Sequence, residues 1–319
     1  MNPRRLLENA ALCLTSLAFD GPIWAKSSQQ MTAAWYERSR RFISLPTTRI
    51  AYVEHGSGPA ALFLHGFPLN GYQWRGALER LHPYRRCVVP DLMSMGYTQT
   101  AESEVISPET QADMLVTFLD RLRLNMVDIV ANDSGEVVAQ ILVAKFPSRV
   151  RTLLLTNCDV DENNPPTKFL PAVALAQKGL CTDWFVAPQL ANKELARSSR
   201  GSELPIPLAE RIADESIEIY FRPLVDTALR KRQLHQYAVA MGSNVLVGIR
   251  DDFCRWTGPV RMIWGLKDIF FDVKWLIGST TPFRDHVDFI ASGKRPFSFQ
   301  RKCQTSSLKK RRCCGDSAS

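Results

Sequence analysis

Strand-like and helix-like segments alternate between residues 60 and 155. Residues 60–64 form a continuous apolar run, as expected of a strand that is buried on both faces of a sheet. Further strand-like runs follow at 86–90, 127–130 and 150–155, and helical patterns separate them at 72–81, 108–121 and 135–145. Strands separated by helices of this length predict the α/β class, with a mostly parallel sheet flanked by helices.

The alternation stops between residues 160 and 254. This segment contains seven prolines between helical patterns, and the next strand-like run comes only at 261–264. We therefore predict a helical insertion. The predicted plan is an N-terminal extension at 1–40, a core at 41–159 and 255–293, the insertion at 160–254 and a tail at 294–319.

Composition limits the possible partners. Hydrophobic residues make up 45% and charged residues 23% of the 319 residues, as in ordinary globular proteins. No run of about 18 apolar residues occurs, so we expect no transmembrane helix and no membrane partner. The net charge is +8, but residues 294–319 carry seven of these charges. A nearly neutral body argues against a nucleic-acid partner, and the basic tail is expected to be poorly ordered.

Cysteine usage and the N-terminus bear on the compartment. The eight cysteines form no C-x-x-C pair, which favours free thiols in a reducing, cytoplasmic compartment, and no metal ligand spacing is present. Residues 10–19 form a short apolar patch like that of a signal peptide, although Glu8 interrupts its start. Two interpretations stay open here, a signal peptide or an extension that precedes a second start at Met31.

The clearest chemical motif surrounds Asp133. An apolar strand-like run at 127–130 leads through a short turn into a helical pattern, which is typical of a nucleophile turn. Such a strained turn needs small residues two positions before and two after the nucleophile. Ala131 and Gly135 satisfy this spacing around Asp133, whereas centring on Ser134 would put Asn132 and Glu136 there. The spacing therefore predicts Asp133 as the nucleophile.

A second motif, His65-Gly66-Phe67-Pro68, directly follows the buried strand at 60–64. A loop at this place can supply one backbone N–H to an oxyanion hole, and the residue after the nucleophile supplies the other. The two predicted donors are the backbone amides of Phe67 and Ser134.

With these motifs in this order, the sequence resembles the α/β-hydrolase superfamily over about residues 42–280. The matching motifs are His65-Gly66-Phe67-Pro68, Pro90-Asp91-Leu92 with Gly96-Tyr97, Asn132-Asp133-Ser134-Gly135, Pro147-Ser148-Arg149-Val150 and Trp264-Gly265-Leu266-Lys267-Asp268. The resemblance implies the α/β-hydrolase fold with the insertion as a helical cap. An Asp at the nucleophile position resembles the branch of epoxide hydrolases and haloalkane dehalogenases, in which this carboxylate attacks carbon and forms an ester.

The chain departs from that branch at several positions. Haloalkane dehalogenases usually have Trp after the nucleophile and often Asn in the His-Gly loop, and both hold the halide. Here Ser134 and Phe67 occupy these positions, which argues against a typical dehalogenase. Epoxide hydrolases open the ring with cap tyrosines, for which Tyr220 and Tyr237 are the candidates. Glu136 stands where the family has a small residue, and we expect its charge to crowd the turn.

The resemblance also implies a catalytic acid and a base. Asp268 matches the family's usual acid, and Asp159 is the alternative, where some relatives place theirs. His286 is the one histidine in the right part of the chain for the base, but it follows Asp268 by only 18 residues. Relatives use more, so we expect the triad to be incomplete or badly aligned. His286→Ala should then change turnover little.

These observations lead to two functional hypotheses. The first is a hydrolase that acts on a small apolar molecule through an Asp133 ester intermediate, with no metal or organic cofactor. The second is a non-catalytic or truncated homologue that lacks a working catalytic histidine. The sequence does not indicate the oligomeric state.

Overall fold

Ten strands form one sheet in the computed structural model, which describes residues 31–159, 163–197, 212–265, 268, 270–271, 287–292 and 297–298. The strands are β1 (Arg40–Ser44), β2 (Thr48–His55), β3 (Ala60–Leu64), β4 (Arg86–Pro90), β5 (Gln99–Thr100), β6 (Val127–Asn132), β7 (Val150–Thr156), β8 (Val260–Gly265), β9 (Val287–Ser292) and β10 (Phe297–Ser298).

The sheet order is β1-β2-β4-β3-β6-β7-β8-β9-β10, and β5 pairs with β2. Strands β4, β3, β6, β7, β8 and β9 are parallel neighbours, whereas β1, β2, β5 and β10 pair antiparallel. The predicted mostly parallel sheet is thus confirmed. Because β3 and β6 are adjacent, the loops after their carboxyl ends also meet, as is usual for ligand sites in open α/β sheets.

Ten α-helices accompany the described strands. They are α1 (Ala33–Ser39), α2 (Arg75–Leu81), α3 (Pro108–Arg121), α4 (Ser134–Lys145), α5 (Leu170–Gln177), α6 (Ala187–Ala191), α7 (Lys193–Arg197), α8 (Asp214–Val225), α9 (Ala228–Ala240) and α10 (Arg250–Arg255). Helix α3 begins as its sequence predicts, because the Ser107 side chain caps it and Pro108 occupies its first turn.

Helix α4 lies at the centre of the molecule. All of its residues from Ser134 to Val143 are buried, and it contacts β3, β6, β7 and helices α3 and α10. A mostly apolar helix that is buried on all sides is stable only inside a core. Its first turn, directly after β6, is therefore held firmly from several directions.

Between β7 and β8, the described residues form helices and no strand. This helical insertion contacts the loops that follow β3 and β4. The Asn70 side chain donates to the backbone oxygen of Ile219 (2.8 Å), and the Arg230 guanidinium donates to the backbone oxygens of Gly96 and Thr98 (2.5 Å each). The insertion is thus fixed beside the carboxyl ends of these strands. In the part of the chain that the structure covers, no helix is long and apolar enough to cross a membrane.

Candidate active site

Asp133 lies on a sharp turn between β6 and α4. Its backbone has φ 52° and ψ −135°, a strained conformation that non-glycine residues rarely adopt outside functional sites. A Cβ atom on Gly135 would lie 2.5 Å from the His65 carbonyl oxygen, so this position has no room for a side chain. Asp133 thus lies on a sharp strand-to-helix turn, and the close packing explains the small residue two positions after it.

The carboxylate of Asp133 is held at one of its two oxygens. Oδ1 accepts hydrogen bonds from the backbone N–H groups of Phe67 (2.9 Å) and Ser134 (2.6 Å). No described residue makes a hydrogen bond of ordinary geometry to Oδ2. Gly66 permits this close approach, because a Cβ there would lie 2.5 Å from Asp133 Cβ. The two predicted oxyanion-hole amides thus converge on the predicted nucleophile.

Gln73, which the sequence did not single out, and His65 of the motif hold this loop in place. Gln73 accepts a hydrogen bond from the Gly66 N–H (3.0 Å) and donates one to the Asn132 side chain (2.5 Å). His65 is fully buried, and its Nε2 accepts from the Leu92 N–H (2.9 Å). Burial lowers the pKa of His65, which favours the neutral imidazole that this acceptor role requires. His65 is therefore a positioning residue.

Asp268 lies near enough to Asp133 for its charge to act on the Asp133 carboxyl. Its Oδ1 accepts from the backbone N–H groups of Phe270 and Phe271 (2.8 Å each), and its Oδ2 accepts from the Asn157 side chain (2.5 Å). Asn157 also accepts from the Gly265 N–H (3.0 Å), and its backbone oxygen accepts from the Asp133 N–H (3.3 Å). Asn157, which sequence reasoning missed, thus joins the two carboxyl-bearing segments.

Burial raises the pKa of the Asp133 carboxyl, and the negative charge of Asp268 raises it further. The amides of Ser134 and Phe67 act in the opposite direction because they stabilise the charged form. A carboxylate with a raised pKa is a stronger base and nucleophile once it is ionised, but it is protonated sooner as the pH falls.

Two more buried carboxyl groups lie beside this turn. Glu136 is fully buried and does not disrupt the turn, contrary to the crowding that its charge suggested. Its Oε1 accepts from the Asp159 N–H (2.7 Å), and its Oε2 accepts from the Gln140 side chain. These partners compensate for the lost water, so the side chain fits where a small residue is usual. Asp159, the alternative acid, is only 5% exposed.

Of the two candidate tyrosines, the structure brings Tyr237 to the site. Its ring lies 6.4 Å from that of Phe67, and the charge of Asp133 contributes to raising its pKa, although burial is the main cause. Tyr220 instead accepts a hydrogen bond from Arg75 (3.3 Å) and packs on Tyr72. No described contact joins Tyr220 to Asp133.

The remaining predictions fall outside the described residues. These are His286, the tail from 294 apart from the short strand β10, and residues 1–30. The described histidines are His55, His65, His82 and His235, and none has a described hydrogen bond to Asp133 or Asp268. Within the same ranges, no cluster of three or more His, Cys, Asp or Glu side chains could hold a metal ion.

Comparison with known proteins finds similarity to α/β hydrolases. A family model described as alpha/beta hydrolase fold matches residues 59–185. Haloalkane dehalogenase 2 of Mycobacterium tuberculosis is 26% identical over 263 residues, which cover 79% of this chain and 84% of that protein. Bifunctional epoxide hydrolase 2 of Sus scrofa is 30% identical over 158 residues, which cover 48% of this chain and 28% of that protein.

The solved structures agree with these matches at the level of the fold. The crystal structure of an epoxide hydrolase from Vigna radiata superposes with a TM-score of 0.59 at 21% identity, covering 81% of this chain and 92% of that one. The chain therefore has the α/β-hydrolase fold and is similar to the branch of hydrolases that contains haloalkane dehalogenases and epoxide hydrolases.

Proposed function

We propose that the protein hydrolyses a small apolar substrate through an ester formed on Asp133. The observation that carries this proposal is the asymmetry of the Asp133 carboxylate, with Oδ1 held by the Phe67 and Ser134 amides and Oδ2 without a described partner. Oδ2 is then the atom that attacks an electrophilic carbon, and the leaving atom departs with the electron pair of its bond to that carbon.

In the second step, water attacks Cγ of the Asp133 ester. Negative charge develops on Oδ1, where two N–H donors already point, so the same amides stabilise this tetrahedral intermediate. A base must remove a proton from the water. The base that the resemblance implies is His286 oriented by Asp268, and its short spacing from Asp268 predicts poor alignment and therefore slow hydrolysis of the ester.

An oxygen leaving group suits the site better than a halide. A halide needs N–H donors, but the residues at the two usual positions are Ser134 and Phe67, whose side chains have none. The buried hydroxyl of Tyr237 lies on the insertion side of Asp133 and can donate to an oxygen atom. We therefore infer that an epoxide is the preferred substrate class, and the cap role of the insertion and the cytoplasmic location remain predictions.

Intact-mass measurement tests this proposal. The full chain is incubated with styrene oxide or 1-bromobutane, quenched with acid and analysed for a mass increase that peptide mapping assigns to Asp133. We expect a transient adduct and diol product with the epoxide. A stable adduct without product would instead support the second hypothesis, a homologue without a working base. No adduct from either compound contradicts the proposed nucleophile.

The control variants are Asp133→Asn and Asp113→Asn. Asp113 is a half-exposed residue on α3. It forms an ion pair with Lys145, at the opposite end of α4 from Asp133. Loss of the adduct in the first variant alone would assign the chemistry to Asp133.

A further inference from the structure

Three polar atoms around Asp133 are buried and have no hydrogen-bond partner among the described residues. They are Ser134 Oγ, Asp159 Oδ1 and the Tyr237 hydroxyl, and their residues are 5%, 5% and 0% exposed. Buried polar atoms are nearly always paired, so unpaired ones that gather at one place indicate a missing partner. Each of these atoms is left to donate a hydrogen bond to a substrate oxygen atom, Asp159 in its protonated form.

Asp159 is fixed to the same turn as the proposed nucleophile. The N–H of Glu136 donates to the Asp133 backbone oxygen (3.0 Å), and the Glu136 carboxylate accepts from the Asp159 N–H (2.7 Å). The Gln140 side chain adds a longer contact to the Asp159 backbone oxygen (3.3 Å). The backbone of Asp159 is therefore held against the first turn of α4, at whose start Asp133 lies.

The surroundings of Asp159 favour its protonated form. Burial raises the pKa of the Asp159 carboxyl well above its usual range, and the charge of Asp133 raises it further, whereas the nearby Asn164 side chain acts in the opposite direction and does not offset these two effects. The pKa of Glu136 is also raised, first by burial and then by the charge of Asp159. Carboxyl groups packed this closely cannot all be ionised, and a neutral one can donate a hydrogen bond or a proton.

We propose that Asp159 is the general acid of this site and gives its proton to the leaving oxygen while Asp133 attacks. This proposal rests on the proposed function. Oδ2 of Asp133 forms a bond to carbon, the carbon–oxygen bond of the epoxide breaks, and its electron pair stays on the oxygen. The proton of Asp159 then neutralises that oxygen to an alcohol and leaves Asp159 as a carboxylate. Hydrolysis of the ester releases one proton, which restores Asp159.

Tyr237 is less suited to this proton transfer. Burial raises the pKa of its hydroxyl well above the usual value for tyrosine, and the charge of Asp133 adds to this. The Ser134 hydroxyl lowers that pKa, although the two side chains make no hydrogen bond of ordinary geometry. Tyr237 and Ser134 can stabilise the leaving oxygen by hydrogen bonds, whereas a carboxylic acid releases its proton far more readily.

The test compares two leaving groups under single-turnover conditions. A bromide leaves without a proton, so only the epoxide needs an acid. We expect Asp159→Asn to slow ester formation from styrene oxide by about 100-fold or more. Ester formation from 1-bromobutane should change by less than about threefold, because the amide keeps the shape of the carboxyl group.

The pH dependence gives a second measurement that does not need the Asp159 variant to fold. In the wild-type chain, ester formation from styrene oxide should fall as rising pH removes the Asp159 proton. Glu136→Gln removes a neighbouring negative charge and should move this fall to lower pH. The Gln140 amide can rotate to accept from the new side chain, so the variant keeps this hydrogen bond and the one from the Asp159 N–H and loses only the longer contact of Gln140 with the Asp159 backbone oxygen.

The outcomes separate the two proposals. If the wild-type chain forms no adduct with styrene oxide, the proposed function fails, and the role of Asp159 fails with it. If adduct forms but Asp159→Asn slows both compounds equally, or slows neither of them, only the role of Asp159 is overturned. If 1-bromobutane forms no adduct in the wild type because the site lacks halide donors, the pH dependence with styrene oxide decides. A wild-type rate with no alkaline fall, or one that Glu136→Gln leaves in place, also overturns it.

Discussion

The carboxylates of Asp133 and Asp268 accept similar hydrogen bonds at one oxygen atom and differ at the other. In each, Oδ1 accepts from two backbone N–H groups, Phe67 and Ser134 in the first case and Phe270 and Phe271 in the second. Oδ2 of Asp268 is tied to Asn157, whereas Oδ2 of Asp133 has no described donor. The paired amides are therefore common to both, and under the proposed function the second oxygen distinguishes the carboxylate that attacks from the one that is held in place.

The largest expected effect on activity comes from removing each of these two carboxylates in turn. Asp133→Asn should lower turnover by about 10⁴-fold and abolish the ester, because an amide nitrogen does not replace the carboxylate as nucleophile. Asp268→Asn should still form the ester but hydrolyse it slowly. Rapid-quench mass spectrometry of both variants measures this difference. Equal loss of ester in both would show that the two groups share one role.

A second change tests whether the packing around Asp133 Oδ1 matters. Gly66→Ala would place a methyl group against the Asp133 side chain, so the carboxylate must move away from the Phe67 amide. We expect a loss of about 100-fold in kcat/KM, the size that a displacement of about 1 Å can cause.

The matched control is Gly76→Ala on helix α2, where the nearest atom, Nη1 of Arg80, lies 3.4 Å from the new Cβ. Steady-state kinetics with thermal unfolding of both variants checks this prediction. A fully active Gly66→Ala enzyme would mean that the close approach of loop and nucleophile is not required.

The third change weakens the fixed carboxylate. Asn157→Gly removes the donor to Asp268 and the acceptor for Gly265, while glycine keeps the positive φ of 47° at this position without strain. We expect the free energy of unfolding to fall by about 2 kcal/mol, because one lost bond is to a charged group. Turnover should fall by about tenfold.

Arg123→Gly serves as the control, since Arg123 is exposed and also has a positive φ, 56°. Urea denaturation of the two variants compares them directly. A similar loss in both would mean that the backbone conformation, and not the contacts of the Asn157 side chain, stabilises this region.

The sequence predicted those parts of the site that local geometry determines. The turn at Asp133 could be predicted because Ala131 and Gly135 are small residues, and at Gly135 the neighbouring backbone leaves no room for a side chain. The start of α3 was visible because Ser107 and Pro108 favour the first turn of a helix by themselves. Strand β3 could likewise be predicted, because a strand that is buried on both faces of a sheet has a continuous apolar sequence.

The supporting contacts were not predictable in this way. Asn157 and Asp268 are 111 residues apart, and Gln73 and Asn132 are 59 apart. The residues next to a polar side chain in the sequence do not indicate which residue, so far away in the chain, will be its hydrogen-bond partner. Glu136 illustrates the same limit, because its charge suggested a conflict, whereas its partners lie on the chain after β7 and one turn further along α4.

The smallest expected effect concerns stability and pH. Burial raises the pKa of Glu136 in the folded protein, so between its unfolded pKa of about 4.3 and that raised value the folded state binds more protons than the unfolded state. The stability linked to this group is therefore complete at low pH and is lost as the pH rises. Glu136→Gln removes this loss, because glutamine does not ionise. We expect the variant to match the wild type at pH 4 and to exceed its free energy of unfolding by about 1 kcal/mol or more at pH 7. Urea denaturation at both pH values measures this. A variant that is less stable than the wild type at pH 7 would show that the ionised carboxylate, held by Asp159 and Gln140, stabilises the turn despite its burial.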